Sequence, residues 1–141
     1  MLAQCHRLSA TEFARVFKGG RILRHPLLQG RVLVRADGGD LVRAAFVAPK
    51  KIGKATRRNR VRRRVRERFR LGGALQDREL FGCDLVFVIM PEAETALPEA
   101  LERALGELLR RARREVGSQR IAEERLKSRE SRGVGESSAS G

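Results

Sequence analysis

The chain has 141 residues, enough for one domain, with 31 Lys+Arg against 17 Asp+Glu, a formal net charge of +14, and 41% apolar residues. That apolar content excludes a fully disordered chain, and no apolar run approaches the roughly 20 residues that span a bilayer. Cys5 and Cys83 form neither a disulfide framework nor a CxxC pair, and residues 1–7 lack the apolar stretch of a secretory signal, so a soluble, cytoplasmic protein with no membrane partner is expected.

In chain order, Leu8-Ser9-Ala10-Thr11-Glu12-Phe13 predicts a helix start. Ser9 can cap the N–H of Glu12, Glu12 can reach back to Ser9, and Leu8 can pack on Phe13. The helix should run through Phe17 and stop at Gly19-Gly20, where positive φ costs little. Phe13, Val16 and Phe17 share one face. Leu27 to Ala36 alternates as a strand, with Leu28, Gly30, Val32 and Val34 on one side and Gln29, Arg31 and Arg35 on the other. Asp37-Gly38-Gly39-Asp40 reads as a hairpin turn into a return strand, Leu41 to Ala48, ended by Pro49.

Between Lys50 and Arg70 lie twelve basic residues and one acid, Glu67, so this window carries +11 of the total charge. Here Val61, Val65 and Phe69 fall on one helical arc, with Asn59, Arg60, Arg63, Arg66, Glu67 and Arg70 opposite. Arg62 and Arg64 flank the stripe, their stems covering apolar neighbours while the guanidiniums reach solvent. So many like charges repel in an isolated helix. A polyanion turns repulsion into attraction, and guanidiniums suit phosphate and base stacking. A nuclear-import signal does not call for the matched apolar face. A basic zipper would continue in heptads, whereas Leu71-Gly72-Gly73 breaks the helix. An interfacial membrane helix needs a broader apolar face. Nucleic acid is the favoured partner.

Cys83 to Met90 is almost continuously apolar after Asp84, as in a strand covered on both faces. Leu97 to Val116 predicts a helix with acids early and arginines late, its stripe Leu97, Leu101, Leu105, Leu108, Ala112 and Val116 facing a core. Residues 1–116 therefore read as a single α/β domain in the order helix, hairpin, basic helix, strand, helix. Residues 117–141 read as a disordered polar tail with a frayed helix around Ile121 to Leu126.

The catalytic inventory is poor. There are two histidines, His6 near a mobile terminus and His25 in a loop before Pro26, and no tyrosine or tryptophan. Asp37 and Asp40 bracket a turn, Glu67 pairs with a neighbouring arginine, and no carboxylate set for a metal-dependent nuclease is visible. No protein-borne catalytic residue or metal ligand is expected.

The segment Lys50-Lys51-Ile52-Gly53-Lys54-Ala55-Thr56-Arg57-Arg58-Asn59-Arg60-Val61-Arg62-Arg63 resembles the signature of the bacterial ribonuclease P protein component, an Arg-Asn-Arg helix after a KKxGxA loop. Phe13 and Phe17 in an N-terminal helix, and the late apolar strand followed by a final helix, are similar too. The resemblance implies a small α/β (α+β) two-layer sandwich like a ribosomal-protein fold, in the order α-β-β-(β)-α-β-α. It also implies a left-handed β-α-β crossover through the basic helix.

By function, it implies a subunit of the ribonucleoprotein that removes the 5′ leader from precursor tRNA, its partners a catalytic RNA and precursor tRNA, with no obligate protein partner. The large RNA would carry the active site and bind catalytic Mg2+. Arg58, Asn59, Arg60, Arg62, Arg63 and Arg66 would contact that RNA; Phe13 and Phe17, with Lys50 and Lys51 at the edge of the same cleft, would contact the single-stranded leader. From spacing alone, the two phenylalanines fit core packing equally well. The chain departs from the family pattern at Ala45, at Pro49 and in the absence of an aromatic residue between Leu27 and Ala36. The alternative from another class is a structural ribosomal-type RNA-binding protein or RNA chaperone.

Overall fold

The first helix forms where its cap dictates. In the computed structural model, which describes residues 2–36 and 39–140, with side chains through Glu130, α1 spans Ala10–Gly19. Ser9 Oγ accepts the Glu12 N–H at 3.2 Å, and Glu12 Oε1 accepts the Ser9 N–H at 2.8 Å, closing the reciprocal box. The stop at Gly19-Gly20 has a different cause from the one expected. Gly20 has φ −76°, and what it supplies is room: a Cβ there would stand 2.5 Å from the Val16 carbonyl oxygen.

Four strands follow: β1 Arg21–Arg24, β2 Leu28–Val34, β3 Arg43–Val47 and β4 Cys83–Ile89, in the sheet order β1-β2-β4-β3. β2 pairs antiparallel with β1 and β4, whereas β3 pairs parallel with β4. The hairpin expected between the second and third strands is therefore corrected, because β4 lies between them. Asp37 and Gly38 of its expected turn lie outside the described residues. The actual hairpin joins β1 to β2 across His25-Pro26-Leu27, where His25 Nδ1 accepts the Leu27 N–H at 3.1 Å. β1 is too short and too charged (RILR) to show an alternating pattern.

β3 leads through α2, Ala55–Leu71, into its parallel neighbour β4. Leu28, Gly30 and Val32 of β2, Leu85, Phe87 and Ile89 of β4, and Ala44 and Phe46 of β3 share one buried face. Onto it pack α2 and α3, Pro98–Ser140. Phe46, Phe69 and Phe87 meet there with ring centroids 5.3 to 5.6 Å apart. A Cβ at Gly30 would meet Leu23, Phe87 and Leu108 at ordinary contact distances of 3.7 to 3.9 Å, so the position lies at the packed seam between the sheet and α3. β4 is buried on both faces, as its apolar run predicts, because α1 covers part of the other side. Arg43 and Arg31 on that side reach Glu12 and Phe17 of α1.

That second face carries a buried charge. Asp84, 1% exposed, accepts from Arg35 Nη1 at 2.7 Å and from Arg43 Nε and Nη2 at 2.8 and 2.9 Å. Arg35 also donates to the carbonyls of Cys83 and Leu41, tying the β2–β3 connection down.

Leu101, Leu105, Leu108, Ala112 and Val116 are buried as expected, but Leu97, one residue before the helix, is 69% exposed. The helix does not end at Val116: of the segment read as a disordered tail, residues 117–140 are helical. Gly117 costs about 1 kcal/mol relative to Ala in a helix, and its neighbours Val116 and Ser118 are not strong helix formers, so its place in the helix is set by tertiary contacts. Past it, Gln119 Oε1 accepts the Val34 N–H at 3.3 Å and Arg120 donates to the Phe81 carbonyl, tying the next turn to the sheet. No helix among the described residues is long and apolar enough to cross a membrane.

Candidate nucleic-acid interface

α2 is held by the three side chains its sequence nominates: Val61, Val65 and Phe69 are fully buried. Its arginines divide into two populations. Facing α3 and the loop before it, Arg57 donates from Nε to Glu94 at 2.8 Å and Arg68 pairs with Glu102. Arg64, expected to reach solvent, instead donates to the carbonyls of Glu94 and Ala96 at 2.8 and 2.7 Å. Arg70 pairs with Glu67, one turn back on the same helix. Hydrogen bonds from these partners raise the pKa of Arg57 and Arg70 and lower those of Glu94 and Glu67.

The other population is unneutralised. Among the described residues, no carboxylate oxygen lies within 4 Å of Arg58, Arg60, Arg62, Arg63 or Arg66. Asn59 is exposed, its Oδ1 accepting from Arg62. Arg58 lies toward the buried arc rather than on the fan, and its Nε is buried without a partner. Arg66 is half-buried, and its pKa is lowered by that burial and then by the charges of Arg62, Arg7 and Arg63. Cations crowded in this way, with no internal counter-charge, stabilise the fold only when an anion joins them.

Arg7 belongs to this cluster and was missed in the sequence. The N-terminal segment lies along the free edge of β3: Arg7 bridges Ala44 in parallel, and His6 Nδ1 donates to the Val42 carbonyl at 2.7 Å. His6 is thus fixed rather than mobile. Leu2, Arg7, Leu8, Ala44, Ala45, Phe46 and Arg66 line a pocket of about 240 Å3 beside α2. A lone arginine before a helix cap has no periodic pattern to betray it.

The other candidate residues lie across the sheet from α2. Phe13 is half-buried and Phe17 is 40% exposed, their rings 5.6 Å apart and 19° from parallel. On the sheet face beneath α1, Gln29, Val88 and Val47 form a half-buried row across β2, β4 and β3. Lys50 and Lys51, both exposed, occupy the turn that follows β3, so they continue from the end of that row. The ten candidate residues therefore form two surfaces, an arginine ridge on α2 and an aromatic wall with a lysine edge on the far side of the sheet.

An α+β sandwich that offers an unneutralised arginine ridge on a buried anchor and a separate aromatic and cationic cleft defines a protein built to hold nucleic acid. A family model described as Ribonuclease P matches residues 2–113, and the chain belongs to that family. It is 36% identical over 104 residues to the ribonuclease P protein component of Herpetosiphon aurantiacus, spanning 74% of this chain and 80% of that one. It is 35% identical over 115 residues to that of Desulfosudis oleivorans, spanning 80% and 89%. The solved ribonuclease P protein of Thermotoga maritima superposes with a TM-score of 0.63 at 29% identity, covering 74% of this chain and 96% of that one. That of Staphylococcus aureus shares the fold at 20% identity, with a TM-score of 0.64 over 76% and 94%. The resemblance drawn from the Lys50–Arg63 segment is thus confirmed.

Proposed function

We propose that this chain, a subunit of the ribonuclease P holoenzyme, grips a catalytic RNA with α2 and steers the 5′ leader of precursor tRNA into the cleft beneath α1. The proposed RNA contacts are Asn59, Arg60, Arg62, Arg63 and Arg66 on the ridge, with Arg58 at its inner margin. Phe13 and Phe17 wall the cleft, with Lys50 and Lys51 at its edge. The observation that carries this reading is the division of α2: Arg57 and Arg68, facing α3 and the loop before it, are paired with Glu94 and Glu102, whereas among the described residues no carboxylate oxygen lies within 4 Å of Arg60, Arg62, Arg63 or Arg66. The ridge offsets the repulsion between two polyanions, and the cleft binds unpaired nucleotides without demanding a sequence.

The chemistry belongs, in this reading, to the RNA. The catalytic Mg2+ is, in this reading, held mainly by the RNA; among the described residues no group of three or more His, Cys, Asp and Glu side chains gathers that could hold a metal ion, and no step is assigned to the chain through the ion. Reconstitution tests this: the purified chain alone should leave precursor tRNA intact and should restore cleavage by the RNA subunit at low salt. Cleavage by the protein alone overturns the assignment. Phe13→Ala with Phe17→Ala should weaken holoenzyme binding of leader-bearing tRNA by about 1–3 kcal/mol per stacked base and spare mature tRNA. Equal losses for the two would return these rings to a packing role.

A further inference from the structure

Phe17 is exposed, but the space over one face of its ring is already filled. The Arg31 guanidinium carbon stands 3.8 Å from the ring centroid, and Arg31 Nη1 donates to the Phe17 carbonyl. A nucleobase cannot share that face, since stacked planes need about the same separation. Phe13 lies stacked against the same ring, its centroid 5.6 Å away, so the Phe17 ring is already engaged by two groups.

Arg31 itself is undersatisfied. It projects from the middle of β2, between Val86 of β4 and the exposed Ile22 of β1, onto the face that α1 only partly covers. Its Nε is buried with no hydrogen-bond partner, and among the described residues no carboxylate comes within 4 Å of it. A half-buried guanidinium with one hydrogen bond and no counter-charge is costly to the free protein. Its planar fork suits a phosphate oxygen on the edge and a base on the flat side, which an ammonium cannot do together.

We infer that Arg31 is the group on this wall that meets an unpaired nucleotide of the leader, taking a phosphate with the N–H groups it does not give to Phe17 and stacking its outer face on the base. Phe17 is then a positioning residue that holds the guanidinium in place. The inference rests on the leader reading of the cleft and adds to it a residue that neither the basic motif nor the phenylalanine pair includes.

The experiment uses the reconstituted holoenzyme and measures binding of precursor tRNA with a single-stranded leader, and of mature tRNA, across a salt series. Arg31→Gln should lose roughly five- to tenfold in affinity for precursor only. Its log–log salt slope for precursor should fall by about 0.7, one single-strand phosphate contact. Arg31→Lys should keep the wild-type slope but recover only part of the affinity, and Phe17→Leu should weaken precursor binding. If Arg31→Gln weakens precursor and mature tRNA equally, or keeps the wild-type slope and preference, the inference falls. If it fails to fold, Arg31→Lys decides: full wild-type affinity for precursor overturns the stacking role. A wild-type holoenzyme with no preference for precursor sinks the leader reading itself, and this inference with it.

Discussion

At Asp84 the sheet carries a carboxylate that is 1% exposed and held by Arg35 and Arg43 at 2.7 to 2.9 Å. Removing the carboxylate at the centre of a buried ion-pair cluster is strongly destabilising, so Asp84→Ala should lose about 3–5 kcal/mol in urea unfolding. A loss below about 1 kcal/mol would mean that water or another group already neutralises the guanidiniums. Arg43 also pairs with Glu12, whose pKa is lowered chiefly by the backbone hydrogen bond with Ser9, against some desolvation, with help from the Ser9 side chain and from Arg43 and Arg15. The folded carboxylate thus binds its proton more weakly than the unfolded one. Its contribution is complete above the unfolded value of about 4.3 and is lost as pH falls through the lower folded value. Amide exchange at Ser9 should accordingly be flat from pH 7 to 5, relative to its intrinsic rate, and lose protection at lower pH. Glu12→Gln should flatten that acid-side loss.

α2 shows what an element's own residues can announce. Val61, Val65 and Phe69 are spaced to share one arc, and all three are fully buried. Because the remaining side chains repel, packing rather than propensity makes this helix. Phe69→Ala removes a ring that meets both Phe46 and Phe87, and should lose about 3–5 kcal/mol by denaturant titration, with the earliest loss of amide protection in α2. A loss spread evenly over all elements would mean the helix has no stability of its own to lose. The α1 cap, the β4 run and this stripe were legible because their signals are local. The order of the sheet was not: a Gly-Gly turn between two apolar stretches looks the same whether the strands pair or admit β4 between them. Nor was the length of α3, since Gly117 is kept helical by Gln119 and Arg120 reaching Val34 and Phe81, more than thirty residues away in the chain. The sorting of the arginines was hidden for the same reason, because Glu94 and Glu102 meet α2 only in the folded protein.

Over the whole molecule, the local charge of +11 between Lys50 and Arg70 overstates the field that α2 offers a partner, because Arg57 and Arg68 in that window are matched by Glu94 and Glu102 from outside it. The distinction separates two residues five positions apart on one helix. Arg63 is exposed, with no carboxylate within 4 Å among the described residues, whereas Arg68 is paired with Glu102 of α3. Counterion release counts only cations that displace ions from the nucleic acid. Arg63→Gln should therefore lower the log–log salt slope for the RNA subunit by roughly 0.7 to 0.9 and weaken all RNA sequences alike. Arg68→Gln should leave the slope within error of wild type, and its cost should appear instead in unfolding, as the loss of an exposed pair worth about 0–1 kcal/mol. Equal slope changes for the two would mean that Arg68 abandons Glu102 for phosphate on binding. The ridge would then extend across the whole outer surface of α2 to α3, and the neutralised side would be a reserve of charge that RNA calls out.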